Sequence, residues 1–188
     1  EDAGDTHAVK DKAMPDDRNL DWLRPWFNDR VEKWWTSTKL AYEIYPFVVE
    51  LSVMQVSQAI LDLLGQQRAA GVRITPLDSK YWTYNREVWE RSIADNETNK
   101  MLGWPDRLDC DDFALRFKSD GSIWYNTTAV GIVKDDSAGH AYNIIVFSDG
   151  KAKLFEPQQD RFVELGEPIT LPVTGVGTYS LSSGLILI

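Results

Sequence analysis

Cysteine, histidine and long apolar runs are scarce in this chain. Its 188 residues include one cysteine and two histidines. A single cysteine cannot form an internal disulfide, and it excludes a metal site built on paired cysteines. No uncharged apolar run reaches the roughly 18 to 20 residues of a membrane helix, and the acidic start lacks the basic region and apolar stretch of a signal peptide. We therefore expect a soluble chain without a disulfide or a membrane span, in a compartment that the sequence leaves unknown.

Positive charge is also in short supply. Twenty Lys and Arg stand against 29 Asp and Glu, which gives a net charge of −9. Proteins that bind nucleic acid need clustered cations, so nucleic acid is excluded as the main partner. Hydrophobic residues make up 43% of the chain, enough for an apolar core, which excludes a wholly disordered chain. The length fits one ordinary domain, or one domain with an appendage.

The sequence divides into an acidic tail and one domain. Residues 1–17 are rich in Asp, Lys and small residues and have almost no apolar periodicity, which predicts a flexible tail. Residues 18–188 are predicted to form a single domain, and 18–50 a tryptophan-rich helical extension of it. In segment 22–35, from Trp22 to Trp35, apolar residues recur at three- and four-residue steps. This stripe either packs a helix on the domain or docks on a protein partner.

Helical patterns come first and strand patterns afterwards. Ser52 is expected to cap a helix that ends near Gly71, and 109–117 is expected to be a short helix. Segment 80–93 is predicted to be extended and then helical. Later segments alternate and favour β-branched and aromatic residues, and the clearest of these strands are 128–133, 141–147 and 151–155. The order predicts an α+β fold, with N-terminal helices packed on a mainly antiparallel sheet.

Cys110 is the residue with the most evident chemical potential. The other histidine lies in the acidic tail, so His140 is the base that could pair with it. Cys110 opens a predicted helix with Asp109 as N-cap and Asp112 at the third position. A helix N-terminus favours a thiolate, whereas neighbouring carboxylates disfavour it. Activation therefore needs a cation, either protonated His140 or a metal ion held by Asp111 and Asp112; without one, the cysteine is a buried filler.

A carboxylate that could orient the His140 ring lies on the following strand. If the three residues 148–150 form the loop, Phe147 pairs with Lys151, and His140 shares a face of the sheet with Glu156. The two side chains are then diagonal neighbours, and the carboxylate can accept the imidazole N–H. A two-residue loop would put Glu156 on the opposite face. The predicted triad therefore requires the three-residue loop.

Other residues compete for, or add to, these roles. Asp149 and Asp160 are rival carboxylates, but the first lies in the turn and the second beyond the strand, so Glu156 ranks first. An acyl-transfer site also needs oxyanion donors. The backbone N–H of Cys110 and the indole N–H of Trp104 are the candidates, although Trp104 is equally well explained as core or loop packing.

Three segments together resemble a known family. LDCDDFA at 108–114, GHAYN at 139–143 and LFEPQ at 154–158 resemble the papain-like domain at the C-terminus of mushroom agglutinins, whose relatives occur in phage and bacterial proteins. The similarity covers roughly 80–164. It implies a papain-like or transglutaminase-like fold and a cysteine peptidase with Cys110, His140 and Glu156 as catalytic residues. The sugar-binding trefoil domain of the agglutinins is absent, and nothing in 1–73 suggests a lectin.

The same resemblance implies a cofactor and a substrate. It implies Ca²⁺ bound beside the nucleophile by Asp111 and Asp112, a site lined near Trp104, and no organic cofactor. The expected activity is hydrolysis of amide bonds in a peptide or protein: the Cys110 thiolate attacks the carbonyl, His140 protonates the leaving amine, and water completes the reaction. The alternatives are a transglutaminase-type acyl transferase and a non-catalytic structural or adaptor module, such as a phage virion component.

Overall fold

A computed structural model describes residues 23–101, 109–170 and 177–188, with side chains from residue 31 onward. The predicted tail 1–17 and Trp104 lie outside these residues. The chain separates into two compact units, residues 1–36 and 37–188. The helices are α1 (Leu23–Ile44), α2 (Val53–Ala69), α3 (Arg86–Asp95) and α4 (Cys110–Trp124). The strands are β1 (Val49–Ser52), β2 (Val72–Thr75), β3 (Lys80–Thr83), β4 (Val130–Asp135), β5 (His140–Val146), β6 (Ala152–Glu156), β7 (Arg161–Val163), β8 (Pro168–Ile169), β9 (Gly177–Thr178) and β10 (Gly184–Leu187).

Helix α2 begins where the sequence predicts. The Ser52 hydroxyl accepts the backbone N–H of Gln55 at 3.3 Å, and the Gln55 side chain accepts the backbone N–H of Ser52 at 2.8 Å. This reciprocal capping box satisfies two donors that a helix start leaves unpaired. The apolar positions Val56, Ile60 and Leu64 recur at helical spacing and are buried. The cap and the apolar stripe together fix the position of the helix.

The central sheet has six strands in the order β2, β10, β4, β5, β6, β7. All neighbouring pairs are antiparallel except β2 and β10, which are parallel. Helix α2 contacts β5 and β6, and helix α4 contacts β4 and β5. Successive residues of β5 point to opposite faces, so Tyr142 and Ile144 belong to one apolar core and Ile145 to the other. The coarse prediction of an α+β fold is confirmed.

The hairpin between β5 and β6 has the predicted register. The N–H of Phe147 donates to the carbonyl of Lys151 at 2.8 Å, and Asn143 is paired with Phe155. Gly150 has a φ of +74°, a left-handed conformation that glycine adopts without a steric penalty. The three-residue loop is therefore confirmed, and with it the shared face of His140 and Glu156.

One helix differs from the sequence prediction. Helix α4 continues to Trp124 rather than ending near Phe117, and the added turns are held by burial of Phe117, Asp120 and Gly121. In helix α1, Trp34 and Trp35 are 53% and 64% exposed. No helix among the described residues is long and apolar enough to cross a membrane.

Candidate functional site

Cys110 is the first residue of helix α4, as predicted, and the helix is fixed to the sheet. The Asp112 carboxylate accepts the backbone N–H of Asp109 at 3.3 Å, which closes the start of the helix. Further along, the Asn143 side chain donates to the carbonyl of Ala114 at 2.9 Å and to a carbonyl of β4 at 3.1 Å. Because Asn143 is fully buried, these bonds hold the sulfur at a set place against β5.

His140 and Glu156 meet as the hairpin register requires. His140 is the first residue of β5, and Glu156 is the last residue of β6. The imidazole Nε2 lies 2.8 Å from the Glu156 Oε2, and neither side chain is exposed. A buried carboxylate in this position fixes the tautomer of the ring and supports a positive charge on it.

The imidazole and Cys110 line the same cleft. The other ring nitrogen of His140, Nδ1, is buried and has no hydrogen bond of standard geometry within the described part of the chain. Because Nε2 faces Glu156, Nδ1 is the ring nitrogen left for the sulfur of Cys110. Burial alone would lower the pKa of His140, but its interactions with Cys110 and Glu156 outweigh burial and raise the pKa to about 9. The ring therefore carries a proton at neutral pH.

A cleft of about 330 Å³ opens at Cys110 and His140. Strands β4, β5 and β10 supply its apolar floor, which consists of Ile132, Ala141, Leu185 and Leu187. Charged side chains line it as well, among them Asp111 and the exposed ion pair of Lys134 with Asp136, which is 2.8 Å long. An apolar floor with a few polar groups is the usual form of a ligand site. A bound ligand would lie against the sulfur.

The carboxylates around Cys110 differ from the predicted metal pair. Asp109, Cys110 and Asp111 place ligand atoms within 4.8 Å of one another, while the Asp112 carboxylate is engaged at the start of the helix. A hydrogen bond with Asp111 raises the pKa of Asp109 above its usual range. Ca²⁺ takes about six to eight oxygen ligands. Two carboxylates beside a sulfur do not fit it, and no step below involves the ion; calcium binding by Asp111 and Asp112 stays a prediction.

The structure also positions the rival residues and some that sequence reasoning missed. Asp149 lies in the turn, paired with Lys151 at 3.2 Å, and burial raises the pKa of Asp160 to about 6. Neither is the partner of His140. The missed residue is Tyr179, whose hydroxyl donates to the Glu156 Oε2 at 2.9 Å. No motif surrounds Tyr179; the only signal was an aromatic residue in a late β segment.

Solved structures similar to this chain include the following two. One, described as the "PSL1a-E64 complex", is 19% identical with a TM-score of 0.50, over 74% of this chain and 51% of that chain. The other, a Polyporus squamosus lectin bound to the human-type influenza-binding epitope Neu5Aca2-6Galb1-4GlcNAc, is 20% identical with a TM-score of 0.47, over 72% and 49%. The chain thus spans about half the length of each. No family model and no curated protein matches it.

These comparisons correct the functional prediction. The similar structure with a TM-score of 0.50 is described as a PSL1a complex with E64, and not as a peptidase or as a phage or bacterial protein. The identification as a papain-like cysteine peptidase is therefore wrong, and the predicted enzyme, hydrolase activity and peptide substrate fall with it. Identity of 19% indicates a shared fold and not a shared activity. The roles of Cys110, His140 and Glu156 have to be argued from their own geometry.

Proposed function

We propose that the domain is a ligand-binding module in which Cys110 captures electrophilic small molecules. The observation that carries the proposal is that the His140 imidazole, 2.8 Å from the Glu156 carboxylate, lines the same cleft as Cys110. A protonated ring beside the sulfur supplies the positive charge that a thiolate needs among carboxylates. In this proposal, protonated His140 is the cation that stabilises the Cys110 thiolate among the neighbouring carboxylates.

The capture step follows from these contacts. With an epoxide as ligand, the Cys110 sulfur attacks a ring carbon, the S–C bond forms and the C–O bond breaks. The oxygen that is released takes the proton held by His140, while Glu156 keeps the ring in place. The Cys110 thiolate becomes a neutral thioether and the His140 imidazolium becomes a neutral imidazole as the bond forms. One ligand then remains attached to each chain.

The cleft supports the class of ligand. Its floor of Ile132, Ala141 and Leu185 accommodates an apolar group next to the sulfur. The rim offers Asp111 and Lys134 to polar groups of the same molecule. E64, the compound named with PSL1a, serves as the first probe.

The test uses the fact that the chain has one cysteine. Protein is treated with E64 and, separately, with iodoacetamide at pH 6, and the intact mass is followed over time. We expect one adduct per chain, formed at least about tenfold faster than on free cysteine, whose thiol is largely protonated at this pH. Cys110→Ser should form none. Labelling of the wild type no faster than free cysteine would contradict the proposal.

A glycan is the second ligand class for the same cleft. The observation in its favour is the rim, where the charged groups of Lys134 and Asp136 stand above an apolar floor and can bond to hydroxyl groups. Binding of Neu5Aca2-6Galb1-4GlcNAc and of unsialylated Galb1-4GlcNAc to Cys110→Ser, measured by calorimetry, separates this function from thiol capture. Lys134→Ala should weaken any glycan binding and leave the rate of iodoacetamide labelling, whose small reagent needs no contact with the rim, unchanged.

Three finer predictions stand as proposals beside this function. The papain-like or transglutaminase-like arrangement is supported by a cysteine that opens a helix against a strand that begins with histidine. A single domain over 18–188 with an extension over 18–50 remains our proposal for the organisation.

Docking of segment 22–35 on a protein partner is supported by the exposure of Trp34 and Trp35. The test replaces both tryptophans with serine. We expect this variant to lose assembly with the partner and to keep thiol capture by Cys110.

A further inference from the structure

We infer that Tyr179 is a positioning residue for the Cys110, His140 and Glu156 cluster, because its hydroxyl holds the carboxylate that orients the imidazole. The inference rests on the proposed function. The Tyr179 hydroxyl donates to Glu156 Oε2 at 2.9 Å, and the same oxygen lies 2.8 Å from His140 Nε2. Neither Tyr179 nor Glu156 is exposed to solvent. One carboxylate oxygen is thus held from two sides.

The other oxygen of Glu156 is also occupied. Oε1 accepts the backbone N–H of Gln158 at 3.1 Å. If the Tyr179 hydroxyl were lost, Oε2 would keep His140 alone as its partner within the described residues, and the carboxylate could rotate about the Cγ–Cδ bond of Glu156. Rotation would lengthen the contact with Nε2 and weaken the support for a proton on the ring.

The backbone fixes where the Tyr179 hydroxyl lies. The N–H of Tyr179 donates to the carbonyl of Glu167 at 3.0 Å, and the carbonyl of Tyr179 accepts the N–H of Gly166 at 2.9 Å. Burial, followed by Glu156, raises the pKa of Tyr179, so the phenol stays protonated and remains a donor at all physiological pH values. A donor with a fixed backbone and a fixed proton is suited to positioning.

A second tyrosine provides a matched control. Tyr142 and Tyr179 both stack near the imidazole, with ring centroids 5.7 and 5.9 Å from that of His140. Both are fully buried, but the Tyr142 hydroxyl donates to Asp135 at 3.1 Å rather than to Glu156. The two rings therefore have similar packing around His140, and only one hydroxyl contacts the cluster. Removing each hydroxyl separates positioning from packing.

The experiment compares Tyr179→Phe with Tyr142→Phe in the full chain. The groups near the His140 ring are Cys110 from α4, Glu156 from β6, the two tyrosines and Asp135 from β4, which is paired with His140 in the sheet and accepts the Tyr142 hydroxyl. We expect Tyr179→Phe to slow iodoacetamide labelling at pH 6 about tenfold, because a less firmly held imidazolium supports less thiolate. Tyr142→Phe should remain within about twofold of the wild type. Equal effects of the two variants would overturn the inference.

Two further measurements keep the inference separate from the proposed function. The His140 ring can be titrated by NMR in each variant, and we expect its midpoint to move to lower pH in Tyr179→Phe alone. Combining Tyr179→Phe with Glu156→Gln should slow labelling no more than Glu156→Gln does, because both act through one carboxylate. If wild-type Cys110 is unreactive, the proposed function fails, while a shifted midpoint still supports Tyr179. An unshifted midpoint overturns it whatever the reactivity.

Discussion

Two buried carboxylates, Asp135 and Glu156, show how the same group serves different ends in this fold. Asp135 accepts three backbone N–H groups, those of Ser137 and Ala138 at 3.1 Å and of Leu181 at 2.8 Å. Glu156 accepts one backbone N–H and otherwise contacts the side chains of His140 and Tyr179. Asp135 thus stabilises the backbone between β4 and β5, whereas Glu156 positions the imidazole of His140. The partners of a carboxylate therefore indicate its role better than its burial does.

The largest expected effect lies at Asp135. Replacing it with alanine leaves several buried donors without an acceptor, so we expect Asp135→Ala to lower the free energy of unfolding by about 3 kcal/mol. Urea denaturation measures this loss. The neighbouring Asp136 is exposed, and Asp136→Ala should change stability by less than about 0.5 kcal/mol. A similarly small loss of stability at both positions would contradict the structural role that we give to Asp135.

Glu156→Gln should change the pH dependence of stability. The pKa of His140 is raised from 6.5 to about 9 in the folded protein, so its contribution is fully present below pH 6.5 and is lost as pH rises through 9. The wild type should therefore lose on the order of 2 kcal/mol between these values, and Glu156→Gln much less. Thermal or urea unfolding at several pH values measures the slope. Equal slopes in the two proteins would contradict the role given to Glu156.

The hydroxyls of Tyr142 and Tyr179, which donate to Asp135 and Glu156, should each contribute less to stability than the carboxylates do. Tyr142→Phe and Tyr179→Phe each remove one buried hydrogen bond, so each should lower the free energy of unfolding by about 1 kcal/mol. Urea denaturation should therefore rank the two variants together, although only Tyr179→Phe is expected to alter the cluster. Losses that differ by more than about 2 kcal/mol would mean that the tyrosines are not matched.

The smallest effect is expected at the rim of the cleft. Lys134 and Asp136 form an exposed ion pair of 2.8 Å, and such pairs contribute little to stability. Lys134→Ala should change the free energy of unfolding by less than about 0.5 kcal/mol and leave the titration of His140 in place. A clear shift in that titration would mean that surface charge, rather than Glu156, sets the charge of the ring.

Local patterns predicted the parts of the fold that local physics decides. The Ser52 cap and the loop at Gly150 are set by side-chain and backbone chemistry within a few residues, and both are where the sequence places them. The hairpin register then brought His140 and Glu156 together without any knowledge of the rest of the sheet. These predictions needed no long-range information.

Other features depend on contacts between distant segments. The parallel pairing of β2 with β10 joins residues far apart in sequence, and neither strand carries a signal for its partner. Tyr179 contacts Glu156 for the same reason, because the return of the chain after β9 places it there. The acidic residues near Cys110 were recognised, but their division into a capping Asp112 and a paired Asp109 and Asp111 depends on side-chain geometry. The predicted peptidase rested on motifs whose order does not determine activity.

The titration of the His140 ring tests the central claim most directly. NMR of the wild type, with His140→Gln to assign the signal and Glu156→Gln for comparison, follows the ring from pH 5 to pH 10. The account predicts a midpoint near pH 9 in the wild type and a clearly lower one in Glu156→Gln. A wild-type midpoint at or below the ordinary value of about 6.5 would contradict the claim that Glu156 and Cys110 hold a protonated imidazole at the cleft.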